Sequence, residues 1–353
     1  MLYKQDFEQS KKRLEAWWQC EVIDRPVIQV IAKQKNVIPV SKWNVWSTAH
    51  FLDNPEYVID EFEKYCTETY FGGEAIPNLW INIGPGIIGA YLGAEPKIAE
   101  DTVWFEPLKE WDKIEKRIEF DSENIWWKKT CKMTSVSTQR GIGKFFTALT
   151  DLGGSLDILA SLRGTQELLF DLVDSPEQIK KISKKINELW FRYYLELYNI
   201  MKDVQEGTIT WMGIWAPKRW YPLQCDFSAM LSPKMFEEFV LPGIEEQCKW
   251  LDYSVYHLDG PGQLPHLDML LEIKDLNAIQ WVPGAGSEPT ISPRWFPYYK
   301  KILSKGKGLV LVEVKPEEVE TLINELGPKG ILIQTNCDTQ EQAEQLLKQV
   351  STF

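Results

Sequence analysis

The sequence has only three histidines, no Cys-x-x-Cys pair and no apolar run near the length of a membrane span. Each absence removes a class of protein. His50, His257 and His266 stand far apart, as do Cys20, Cys66, Cys131, Cys225, Cys248 and Cys337, so no short metal-ligand spacing is present. The opening stretch MLYKQDFEQSKKRLEAWW is charged throughout and has no apolar centre. No secretory leader is therefore expected there, and the chain is read as cytoplasmic with reduced cysteines. Positive charge is scarce as well: 39 Lys and Arg stand against 51 Asp and Glu, a net charge of -12. Such a chain repels phosphate backbones, so neither nucleic acid nor a membrane is an expected partner. No Gly- or Ser-rich linker, low-complexity tract or long repeat divides the chain. Residues 1–353 are expected to form a single domain.

What is present is an alternation of two patterns. Short β-branched runs occur at Val27–Ala32, Leu79–Ile83, Phe145–Leu149, Thr208–Met212, Ser254–His257, Ala278–Val282, Leu309–Glu313 and Ile331–Thr335. Amphipathic stretches lie between them. Ser175-Pro176-Glu177-Gln178 has the form of a capping box and opens a helix running to about Met201. Ser232-Pro233 opens another ending near Trp250, Pro316-Glu317-Glu318 a third, and Thr339 with Gln342 the last. Eight such units predict a (β/α)8 barrel with parallel strands. A helix within residues 1–24, over about Lys4–Cys20, precedes the first strand and is expected to plug or flank the bottom of the barrel. The stretch 102–139 lacks a good strand and reads as a partly helical insertion after the second one.

In this architecture chemistry sits where strands end. The HLDG step puts His257 and Asp259 on one side of an extended segment, because side chains alternate. Both are candidates for catalysis, with Asp151 beside the Gly153-Gly154 turn as a third. Glu313 ends an apolar strand and needs a partner, a metal or a catalytic task. Cys337 precedes the last helix, whose amide groups favour thiolate, so it is expected to be the most acidic cysteine. His257, Cys337 and Glu313 form the candidate metal set, and zinc is the metal that imidazole, thiolate and carboxylate suggest. Trp211, Trp215 and Trp281, with Asp226, Gln280 and Asn336, are candidates for lining a substrate pocket. There are 16 tryptophans, most of them expected to fill space between strands and helices. Arg163 reads as structural, the glycines at 84–86 and 284–286 match no phosphate loop, and His50 and His266 are given no role.

Three segments carry a resemblance: DLGGSLDILASLRGTQELLFDLVDSPEQI, CDFSAMLSPKMFEEFVLP and YHLDGPGQLPHLDMLLEIKDLNAIQWVPGAG. In order and content they resemble the uroporphyrinogen decarboxylase superfamily, which includes cobalamin- and corrinoid-linked methyltransferases. The resemblance runs through the C-terminal two thirds of the chain and is looser before that. It implies a (β/α)8 barrel. From the methyltransferase branch it implies zinc held by a His-x-Cys step and a distant Cys near the last strand. His257 matches that His and Cys337 the distant Cys, whereas Asp259 stands where the branch has its first Cys. From the decarboxylase branch it implies a pair of arginines near the N-terminus. Arg25 is there but a second is missing, and Lys33 or Lys35 is a poor substitute. The implied function is methyl transfer to or from a small-molecule substrate, with a corrinoid on a partner protein or a folate-like carrier. Two alternatives stand beside it: a metal-free decarboxylase or lyase using His257 and Asp259 for proton transfer, and a non-catalytic ligand-binding barrel.

Overall fold

The structure is a computed structural model and describes residues 1–351. Its strands are β1 (Val27–Lys33), β2 (Thr69–Gly73), β3 (Asn78–Trp80), β4 (Glu95–Ile98), β5 (Val103–Glu106), β6 (Phe146–Leu149) and β7 (Thr208–Thr210). There follow β8 (Trp215–Ala216), β9 (Trp220–Leu223), β10 (Tyr253–Asp259), β11 (Ala278–Val282), β12 (Gly308–Val314) and β13 (Ile331–Thr339). Seven form one sheet in the order β2-β1-β13-β12-β11-β10-β9, parallel except where β2 runs against β1. A second sheet has the order β3-β6-β7-β8, and β4 pairs with β5 as a separate hairpin. The fold is thus a mixed α/β one with a mostly parallel central sheet.

All eight runs read from the sequence coincide with strands. The structure adds β2, β8 and β9, none of them among the expected runs, and it corrects the insertion: the hairpin starts at Glu95, and β5 lies inside the stretch expected to lack a strand. The helical part of that stretch is Ile125–Gly141, capped by the Asn124 side chain.

Both faces of the main sheet are buried, which is why its strands read as nearly continuous apolar runs. Ile28, Tyr256, Leu258, Ile279, Leu309, Leu311 and Ile333 pack outward against the helices. Their alternate neighbours Val27, Val255, Ala278, Val310 and Leu332 pack inward with Phe146 and Ile209. The helix Phe7–Trp18 closes the lower end of this inner core, as expected, with Leu14, Trp17 and Trp18 buried against it. Both indoles keep their N–H satisfied: Trp17 donates to the Gly330 carbonyl at 2.9 Å and Trp18 to the Trp215 carbonyl at 3.0 Å. Among the described residues no helix is long and apolar enough to cross a membrane.

The start of the last helix follows the sequence closely. Thr339 Oγ1 accepts from the Gln342 amide, and the Gln342 side chain accepts in return from the Thr339 amide. Thr339→Ala should therefore lower stability by about 1 kcal/mol, and Thr339→Ser by much less. Equal losses in thermal unfolding would mean that the cap contributes nothing.

Candidate active site at the strand ends

The upper rim of β10 presents His257 and Asp259 to the inside, because residues two apart share a face. Register sets the first contact. His257 lies opposite Gln280 of β11, and its Nδ1–H donates to Gln280 Oε1 at 2.6 Å. In a neutral ring, a proton held at Nδ1 leaves the lone pair on Nε2. Trp211 stands edge-on to the imidazole, 5.2 Å between ring centres.

Asp226 reaches the same place from the turn Asp226–Met230. That turn is anchored from two sides. Asp157, in the first turn of the helix Ser155–Arg163, accepts from the Asp226 amide at 3.1 Å and from the Phe227 amide at 2.8 Å. His266, stacked flat on Phe236, bonds through Nε2 to the Ser228 carbonyl. As a result one ligand atom each from Asp226, His257 and Asp259 lie within 4.8 Å of one another.

Asp151 completes the acidic group. Its Oδ1 accepts from the Gly153 amide at 2.8 Å. Gly153 has φ +80°, and a Cβ there would come within 2.6 Å of the Gly86 Cα. The glycines of these two turns therefore bring two chains together at the rim. Burial raises the Asp151 carboxyl to about 6, Asp226 adds to the rise, and the amides of Gly153 and Gly86 together with His257 oppose it. Burial also raises Asp157, reinforced by Asp226, and raises Asp226 itself.

Beside His257 lies a cavity of about 420 Å³ walled by Trp43, Tyr65, Phe71, Trp80 and Trp211, with Gln29, Gln334, Asn336 and Glu313 among its polar lining. The indole N–H groups of Trp43, Trp80 and Trp211 are buried, and among the described residues none has an acceptor. An unmet buried donor costs free energy that a ligand oxygen would recover.

The structure thus gathers His257, Asp259, Asp226, Asp151, Gln280 and Trp211 in one region, and places Asn336 in the adjoining cavity. It does not gather the rest. Trp281 follows Gln280 and so faces the opposite way, packed on Trp295 at 4.8 Å between ring centres. Trp215 lies at the bottom because the chain reverses after Gly213 and runs back against Ile209. Its ring meets Phe7 and its N–H donates to the Glu206 carbonyl. The metal set expected from His257, Cys337 and Glu313 is corrected too. Gln334 and Asn336 face the cavity, so Cys337 on the alternate side is buried among the helices. Burial raises its thiol, and Asp338 and Glu317 raise it further, the reverse of the acidic thiol expected. Glu313 sits at a register shift in β12 with φ +57°, which turns it to the cavity rim, apart from the cluster around His257.

Arg163 is structural as expected, paired with Asp171. Asp157, Trp43, Tyr65 and Phe71 were not anticipated. Asp157 looks like any first-turn helix acid, and Trp43 lies in a loop without pattern. No protein-family model matches this chain, and no curated protein matches it.

Proposed function

We propose that this chain is a (β/α)8-barrel methyl-transfer enzyme whose reaction centre is the cluster of Asp226, His257 and Asp259. The observation that carries the reading is convergence. The three segments that resemble the methyltransferase-containing superfamily are separate in sequence, at 151–179, 225–242 and 256–286. They deliver Asp151 and Asp157, Asp226, and His257 with Asp259 to one rim. Closure into a barrel is supported by side chains that tie the two sheets together. Gln334 Nε2 donates to the Met212 carbonyl, Gln29 Nε2 donates to the Gly213 carbonyl, and Trp220 Nε1 donates to the Thr208 carbonyl.

The zinc-thiolate set implied by the resemblance does not fit, since Cys337 points away. One imidazole and two carboxylates fit a harder divalent cation, with Gln280 orienting the imidazole from behind. When bound, such a cation would polarise the heteroatom that gains or loses the methyl group. Asp151 would hold the proton that this atom exchanges, its burial favouring the protonated form. The aromatic cavity would seat the flat part of the substrate and exclude water. A corrinoid or folate-type carrier would have to approach the same rim.

A second reading keeps the site and drops the metal. His257 with a free Nε2 and the protonatable Asp151 could run a decarboxylation or elimination by proton transfer alone, and the raised pKa of Asp151 is what favours it.

Cobalt(II) titration of metal-stripped protein, read by visible absorption, separates the two. Binding is expected in the wild type and in Cys337→Ser, and its loss in His257→Ala. A wild type that binds no cobalt, manganese or zinc would move the assignment to proton transfer. Methyl transfer is tested directly with free methylcobalamin or methyltetrahydrofolate plus a thiol acceptor. No turnover with any donor while substrate acids are decarboxylated would sink it.

A further inference from the structure

A second cavity, of about 620 Å³, opens beside Asp226. Its walls are the β4–β5 hairpin, the helix Ser155–Arg163 and the turn carrying Asp226. Its charged lining is of one sign. The carboxylates of Asp157 and Asp226 face it, and among the described residues no lysine, arginine or histidine lines it. Gln224 lines it too, only 5% exposed, and its Oε1 has no hydrogen-bond partner among the described residues. Three aromatic rings, Trp104, Phe105 and Phe227, line it beside small, aliphatic and hydroxyl side chains. Trp104 is the unusual one: 69% exposed on a hairpin, where a tryptophan contributes little to folding.

We propose that this cleft binds a small methylated ammonium ion. The acidic pair supplies counter-charge, chiefly through Asp226 because Asp157 is held by two backbone amides, ring faces accept a diffuse cation, and an unpaired amide oxygen is left for an N–H or polarised C–H. An anion would meet two carboxylates and no cation. A neutral apolar ligand would leave Gln224 Oε1 without a partner and the acidic wall without a counter-charge. The cleft and the aromatic cavity both adjoin the His257 cluster, through Asp226 and Trp211 respectively. The role of the ammonium ion as methyl donor rests on the methyl-transfer reading, but its binding does not.

Calorimetry with choline and its uncharged isostere 3,3-dimethylbutan-1-ol tests the proposal. Choline is expected to bind at least about tenfold more tightly, a difference of about 1.4 kcal/mol. Trp104→Ala, at an exposed position that the fold does not need, should weaken choline by roughly two- to fivefold. Asp157→Asn should weaken it further, and Asp157→Glu should restore part of the loss, as a purely structural carboxylate would not. Asp259→Asn, outside the cleft, should lose the metal and keep choline. Equal binding of choline and the alcohol would overturn the proposal, as would no binding of either, or indifference to Trp104→Ala. Loss of choline in Asp259→Asn would place the cation in the metal cluster and overturn the cleft assignment. Metal binding without choline binding, or the reverse, shows which of the two proposals has failed.

Discussion

Arg25→Met should destabilise the protein by about 3–5 kcal/mol, because it strands a carboxylate in the interior. Glu74 is fully buried. Arg25 grips it with two parallel bonds, of 2.8 and 2.7 Å. The Ile28 amide adds a bond at 3.0 Å and Arg13 one at 3.2 Å. Arg13 is anchored mainly on Asp24 and cannot replace a bidentate guanidinium. The double variant Arg25→Met/Glu74→Leu removes both buried charges and should regain much of the loss. Denaturant unfolding of the two singles and the double decides the matter. Additive losses would mean that the pair is not coupled. This arginine lies just before β1, at the end of the sheet opposite His257. It is a strut of the fold, and not the carboxylate-capturing residue that the resemblance to decarboxylases implied.

Asp151→Asn should stabilise the protein at neutral pH. The carboxyl is buried, and its pKa is raised from 3.8 to about 6. The sign follows from linkage. The protonated form contributes stability that is fully present below the unfolded value and is lost as pH rises through about 6. Above that the ionised group is a burden, equivalent to roughly 3 kcal/mol at most. Asparagine keeps an acceptor for the Gly153 amide and never ionises. Thermal unfolding should show the variant ahead at about pH 8 and the gap closed near pH 4. A gap that does not change with pH would mean that the carboxylate is not strained by its site. Methyl transfer or proton transfer should fall in the same variant, since strain at a rim of this kind is commonly what function requires.

The strands were legible because β-branched runs bounded by turns leave little choice. Trp220–Leu223 escaped because Pro222 reads as a strand breaker. In the structure that strand is the edge of the seven-stranded sheet, where proline is tolerated. Within the site, His257 and Asp259 were legible by alternation, and the same rule explains the failures. Trp281 and Cys337 are each one residue out of phase with Gln280 and Asn336, and a phase error of one sends a side chain to the opposite face. Asp157 and Trp43 were invisible for a different reason. Their neighbours at the site come from distant segments, and nothing local marks them.

The helix Phe7–Trp18 is made long before the groups that hold it. Trp17 must find the carbonyl of Gly330, and Trp18 that of Trp215. On a ribosome the helix leaves the exit tunnel with its tryptophans uncovered; Trp18 waits for Trp215, and Trp17 waits until Gly330 has followed. The helix is therefore made before the strands that hold it and docks after them, and until then its indoles are a surface that chaperones can hold.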